Sequence, residues 1–239
     1  MNSTVAGQDS FSDAERRAVY RAVFERRDIR NQFLPTPIPD DVLGRILLAA
    51  HHAPSVGFMQ PWDFILIRDT VLRANVRSNF LEANRQAARQ YQGDQRALYD
   101  SLKLEGILEA PLNLCVTCDR TRSLGSGLGR QTVLETDLYS TVCAIQNLWL
   151  AARAESLGVG WVSILDHDHL RSILEIPSHV TPVAYLCIGY VSEFPAAPEL
   201  ERKGWCRREA LARLIHFDRW GRQDDSLAAL LESSAEVGL

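Results

Sequence analysis

Basic charge is the first thing this chain of 239 residues lacks: 26 lysines and arginines stand against 30 carboxylates, for a formal net charge of -4. No global positive field draws nucleic acid or an anionic membrane surface, so any phosphate it binds must be held locally. No apolar run approaches the ~18–20 residues that cross a bilayer. The start, Met1-Asn2-Ser3-Thr4-Val5-Ala6-Gly7, lacks the charged-then-apolar pattern of a signal peptide. Five cysteines, an odd number, give no disulfide framework and point to a reducing cytoplasm. Cys115 and Cys118 form a C-x-x-C with no second cysteine pair to complete a tetrahedral metal site. Their setting, Leu112 to Cys118, reads as a buried strand, on which residues three apart face opposite ways. Asp166-His167-Asp168-His169 lacks a third ligand at useful spacing, and Asp166 reads as a helix cap. His51-His52 ends a helix and needs no ligand, so no metal is expected. Internal repeats and long linkers are absent too. The chain therefore reads as a loose lead over 1–10, one domain over 11–222 and a tail over 223–239.

What is present fits a soluble globular protein: 46% hydrophobic and 23% charged residues. Ser12-Asp13-Ala14-Glu15 is a capping box, and Val19, Tyr20, Val23 and Phe24 recur at helical spacing, which predicts a first helix to about Arg27. Pro37, Pro39 and Asp40 open a second, with Val42, Leu43, Ile46, Leu47 and Ala50 on one face, stopping before Pro54. Strands are expected over 63–68, 112–118, 158–165 and 183–191, with helices broken near Gly93 between 71 and 109, where a mobile lid could form. A short helix is expected near 170–174. Leu138 to Leu157 is a helix apolar on nearly all sides, which places it at a domain centre or an oligomer interface. Thr121 to Gly129 is glycine-rich, but it lacks the Gly-Lys-Ser/Thr ending of a phosphate loop and reads as a mobile loop.

Chemistry concentrates in two stretches. Arg26, Arg27 and Arg30 place three guanidiniums within five residues, able to clamp a phosphate or merely to form a solvated helix end. Asp28 inside that cluster would weaken a pure phosphate site. Its role is therefore a different one, either a salt bridge to a neighbouring arginine or chemistry. Pro54-Ser55-Val56-Gly57-Phe58-Met59-Gln60-Pro61-Trp62 supplies a stiff polar and aromatic loop suited to lie beside a flat ring. Phosphate at one end and ring at the other suggest flavin mononucleotide (FMN). Trp62 itself reads as core packing.

These motifs resemble the nitroreductase-like flavoproteins, whose first helix ends Arg-Arg-Ser-x-Arg and whose Pro-Ser loop ends Gln-Pro-Trp. Within them the chain looks most like the 5,6-dimethylbenzimidazole synthases, which carry Asp where relatives carry Ser, as at Asp28, and the run Gly160-Trp161-Val162-Ser163. The resemblance extends from the first helix to Arg208 and is closest from Asp137 to Ser163. It implies an α+β fold with a mixed central sheet flanked by helices, in an intertwined homodimer with FMN at the subunit interface. It implies a flavin site of Arg26, Arg27, Asp28, Ile29, Arg30, Ser55, Phe58, Gln60, Trp161, Val162 and Ser163. Arg208 would be a further arginine on the phosphate. Where nitroreductases often carry Asn, this chain has Phe58, which makes the pocket more apolar.

The resemblance also implies the reaction: an O2-dependent breakdown of reduced FMN itself, releasing 5,6-dimethylbenzimidazole, the lower ligand of vitamin B12, with erythrose 4-phosphate as the other product. Asp28 and Ser163 would flank the isoalloxazine and carry catalysis, Asp28 as base or hydrogen-bond anchor near the ribityl chain. A separate NAD(P)H-flavin reductase would supply the reduced flavin. Two alternatives stand beside this reading: a nitroreductase that recycles FMN with NAD(P)H, and a non-catalytic flavin-binding protein. For Ser163 the plain alternative is a hydroxyl bonded to nearby backbone.

Overall fold

Four apolar runs pair into one sheet: β1 (Trp62–Ile67), β2 (Leu112–Asp119), β3 (Leu157–Val162) and β4 (Val180–Tyr190), in the order β1-β2-β4-β3. All three pairings are antiparallel. The sheet's mixed character comes from one isolated parallel bridge, Asp28 to Val159. A bulge interrupts β2 against β4 between Val116 and Thr117, where Thr117 faces Pro182. Proline has no amide hydrogen to give the ladder, so the register slips there.

Side chains alternate across β2 as the pleat requires. Leu112, Leu114 and Val116 enter one core with Ile46 of α2 (Asp40–His51) and Leu148 of α5 (Thr136–Ala154). Cys115 enters a second core with Val76 and Phe80 of α3 (Thr70–Ala88), Leu170 of α6 (His167–Ile173) and Tyr185. The C-x-x-C is thus split across the sheet: both thiols are buried, and Cys118 meets Thr141 of α5. Trp62 is core, as expected, and its indole N–H donates to His51 at 3.2 Å. α4 (Gly93–Asp100) is tied to α3 by Tyr99 donating to Asn84 at 2.6 Å.

The structure is a computed structural model and describes residues 10–223. The expected lead and tail, with Leu227, Leu230 and Leu231, lie almost wholly outside those residues. By internal contacts the chain groups into two compact units. Glu25–Pro198 contains the whole sheet; the other comprises, among the described residues, 10–24 and 199–223. In the latter, α1 (Asp13–Glu25) begins with the expected capping box, the Ser12 amide donating to Glu15 at 2.7 Å, and α7 is one turn, Glu199–Arg202. No helix among the described residues is long and apolar enough to cross a membrane.

Candidate functional site

The first helix ends at Glu25, short of the expected Arg27. The residues after it are drawn onto the sheet instead: Asp28 bridges Val159, and the Ile29 amide donates to the Val159 carbonyl at 3.0 Å. Two glycines of β3 permit this close approach. A Cβ at Gly160 would overlap the Ile29 carbonyl oxygen, and one at Gly158 would overlap Val191 and Ile29 side chains. Arg26 follows the C-terminal end of α1 directly, and Arg27 and Arg30 flank a single bridge to β3, so no helix N-terminal amides are on hand and side chains must hold any anion.

The three arginines differ in what they hold. Arg27 donates to the carbonyls of Pro195 (2.9 Å), Arg26 (2.8 Å) and Ala196 (2.6 Å). Arg27 thus fastens the chain after β4. Arg26 stacks over Trp149 of α5 at 5.3 Å, and its buried Nε has no partner. Arg30 is buried, pairs with Asp28 through one terminal nitrogen, and also keeps an unpartnered buried Nε. A buried guanidinium N–H without an acceptor costs about 1–3 kcal/mol, so two of them on one segment mark a place for an anion.

Asp28 is held from two sides. One carboxylate oxygen accepts the Trp161 amide at 2.9 Å and the other pairs with Arg30. The salt-bridge alternative is therefore realised, and the same contacts fix the carboxylate rigidly at the end of β3. Ser163 lies just beyond that strand, exposed. A cavity of about 210 Å³ opens beside it, lined by Trp161, Leu165, His167 and Pro182 among others. A larger hollow of about 570 Å³ between Pro35–Asp40 and Pro111 contains none of the expected site residues. Asp166 caps α6 by accepting the His169 amide at 2.7 Å, the role read from sequence.

The second stretch is a loop under strain. Phe58 (φ 55°) and Gln60 (φ 45°) both adopt left-handed backbone. For a bulky residue that costs about 1–3 kcal/mol. The Gln60 amide donates to the Ser55 hydroxyl at 3.2 Å, and the Val56 amide to Ser140 of α5 at 3.1 Å. The glycine-rich stretch, expected to be mobile, is packed against this loop. A Cβ at Gly125 would overlap the Gly57 carbonyl, and one at Gly57 would overlap the Leu128 carbonyl. Its ends are clamped by Arg122, donating to the Gln60 and Trp62 carbonyls, and by Arg130 on the buried Asp137 at 2.8 Å. Glycine serves here both for left-handed backbone, at Gly57 and Gly125, and for close backbone contact.

The expected site residues thus fall into separate groups. Asp28, Ile29, Arg26, Arg30, Trp161 and Val162 come together at the edge of β3. Ser55, Phe58 and Gln60 form the loop held by Ser140. Ser140 and Trp149 are nine positions apart on α5, which is about 14 Å along the axis and about half a turn around it. The groups therefore flank α5 on opposite sides. Arg208 is exposed and belongs to the smaller unit. Sequence reasoning missed Trp149 and the β3 glycines; two alternating glycines in a strand are the available signal for a close backbone approach.

Comparison with known proteins follows the same lines. The sequence profile of the Nitroreductase family matches residues 23–190. A 5,6-dimethylbenzimidazole synthase of Rhodospirillum rubrum is 48% identical over 78% of this chain and 89% of its own. One of Rhodobacter capsulatus is 42% identical over 82% and 94%. Among solved structures, an iodotyrosine deiodinase bound to FMN and 3-iodo-L-tyrosine shares the fold, with a TM-score of 0.66 and 21% identity over 83% of this chain and all of that one.

Proposed function

The chain belongs to the nitroreductase family, and we propose that it converts reduced FMN and O2 into 5,6-dimethylbenzimidazole, with erythrose 4-phosphate as the other product. The observation that carries this reading is Asp28, a carboxylate fixed between the Trp161 amide and Arg30 at the edge of β3. It stands in a chain 48% identical to a synthase of that name.

The residues present fit the flavin. The unpartnered Nε groups of Arg26 and Arg30 supply donors for a phosphate, and Asp28 offsets part of their charge without blocking either Nε. When bound, reduced FMN supplies both the electrons for O2 and the carbon skeleton of the product. Asp28 accepts a proton at its carboxylate oxygen or anchors a hydroxyl. Ser163 donates its hydroxyl proton at the mouth of the neighbouring cavity.

The protein works as a homodimer with flavin between its chains. Two features support this: the two groups flank α5 on opposite sides, and α5 exposes Tyr139, Val142 and Cys143 in a stripe that has no cover in one chain. A separate NAD(P)H-flavin reductase supplies reduced FMN in the cytoplasm.

Aerobic incubation with chemically reduced FMN, followed by mass spectrometry, should yield 5,6-dimethylbenzimidazole with loss of flavin. Asp28→Asn should abolish product while retaining FMN, since the amide oxygen still accepts from Trp161 and Arg30 loses its counter-charge. Flavin that is merely reoxidised by the unsubstituted protein would return the chain to recycling nitroreductases or to flavin binding.

A further inference from the structure

α5 carries a further cation beside the arginine edge. Arg153 lies one turn beyond Trp149, so the two side chains share a face of the helix. Trp149 is buried and fixed: its indole N–H donates to the Arg27 carbonyl at 3.3 Å, and its ring lies 6.4 Å from that of Trp161. Arg26 rests over that ring, a contact that occupies the face of its guanidinium and leaves the N–H edges unused. Arg153 is engaged from two sides. One terminal nitrogen donates to a Glu25 oxygen at 2.7 Å, and the guanidinium sits 4.0 Å from the centre of the Phe194 ring. The Arg153 side chain is 15% exposed against 45% for Glu25, so the arginine is the anchored member of the pair and the carboxylate the one free to swing. Glu25 immediately precedes Arg26 in the chain. Its carboxylate can reach that guanidinium by side-chain rotation alone, and there it would compete with any anion for the same donors.

We propose that Arg153 is a positioning residue for the anion site: by holding the Glu25 carboxylate it keeps Arg26 open to the phosphate of the flavin. This role rests on the flavin reading above and adds to it how a phosphate donor stays unpaired with a carboxylate next to it in sequence. Arg30 meets the same difficulty differently. Its neighbouring carboxylate, Asp28, does pair with it, through a terminal nitrogen that leaves Nε without a partner. At Arg26 the neighbouring carboxylate is engaged by a third residue, and the buried Nε is again left without a partner.

The test compares binding of oxidised FMN with that of riboflavin, which has the same ring and ribityl chain but no phosphate, by quenching of flavin fluorescence. Arg153→Met removes the cation while keeping a flexible apolar chain against Phe194. Its dissociation constant for FMN should rise about tenfold, equivalent to 1.4 kcal/mol, while that for riboflavin changes less than about twofold. In Arg153→Met combined with Glu25→Gln the loss should shrink to about twofold or less, because no carboxylate remains to be released. Arg153→Lys keeps a cation for Glu25 and should bind FMN as the parent does. Arg153→Gln should follow the pattern of Arg153→Met at about threefold, and takes its place if Arg153→Met does not fold. A double variant as weak as the single one overturns the proposal, since the loss then lies in packing or direct contact. So does an equal loss of FMN and riboflavin. A parent that does not prefer FMN to riboflavin has no phosphate site, which overturns both readings of Arg26. FMN preference without benzimidazole production overturns the reaction alone, and the double variant still decides the role of Arg153.

Discussion

The edge of β3 and the loop at 55–60 solve the same problem, holding side chains still, by different means. At β3 the fixing is done by the sheet. Asp28 and Ile29 are hydrogen-bonded to the strand, and Gly158 and Gly160 let the two backbones touch. The groups held there are charged, and two of their donors are left without partners. At the loop there is no sheet to borrow from. Two left-handed residues and a glycine-rich neighbour hold it, and the group presented is an apolar ring. Anion binding needs charge in a rigid frame whose desolvation has already been met by folding. Enclosing a ring needs shape, which a strained loop can supply at small cost to the fold. The two regions should therefore fail differently when each loses its close contact.

Gly160→Ala should have the largest effect. Its Cβ would meet the Ile29 carbonyl, a backbone atom that cannot move without breaking the bridge to β3. The expected loss is about 3 kcal/mol or more in chemical denaturation, a large share of a typical domain's stability. Gly125→Ala makes an equally close approach, to the Gly57 carbonyl, but between two surface loops. Global stability should fall much less, while benzimidazole formation drops about 100-fold as the loop is displaced. If Gly125→Ala unfolds the chain as readily as Gly160→Ala, the contrast between the regions is lost.

Their separation across α5 allows a finer test. In a dimer assembled from one Asp28→Asn chain and one Gly125→Ala chain, a site that takes its arginine edge and its loop from different chains is intact once. About half of the parental activity should return, although neither parent dimer is active. An inactive mixed dimer would place both groups of one site on the same chain.

How much of this was legible depended on whether the signal was local. The capping box at Ser12, the buried face of α2, the split C-x-x-C and the core position of Trp62 each follow from spacing within a dozen residues. The helix end at Glu25 did not, because helical spacing continues to Arg27 while the competing hydrogen bonds come from Val159, far along the chain. For the same reason the carbonyls at 195 and 196 that Arg27 holds were not legible from its neighbours. Thr121 to Gly129 read as mobile because composition records the freedom of glycine and not its use in close packing. The arginine cluster and the loop at 54–62 stood out in the sequence by themselves, and family resemblance supplied the remaining site residues. How each arginine is held required the structure: Arg26 over Trp149, Arg27 on the carbonyls at 195 and 196, Arg30 on Asp28.

The smallest expected effect lies in the buried thiols, which report on the sheet side alone. Burial pushes the Cys115 thiol from its ordinary 9.0 up to about 12 and raises Cys118 and Cys187 in the same direction. Because the unfolded chain gives up the Cys115 proton first, the contribution of this thiol to stability is complete below pH 9 and is lost as pH climbs through 9 toward about 12. At pH 8 a thiol reagent should modify the exposed Cys206 quickly. It should reach Cys115 and Cys187 only when the sheet opens. Gly160→Ala should accelerate that slow phase, and Gly125→Ala should leave it unchanged, since displacing the loop does not open the strands that bury those thiols. A slow phase accelerated equally by both substitutions would mean that loop and sheet open as one unit, and that the strain at Phe58 is carried by the whole core.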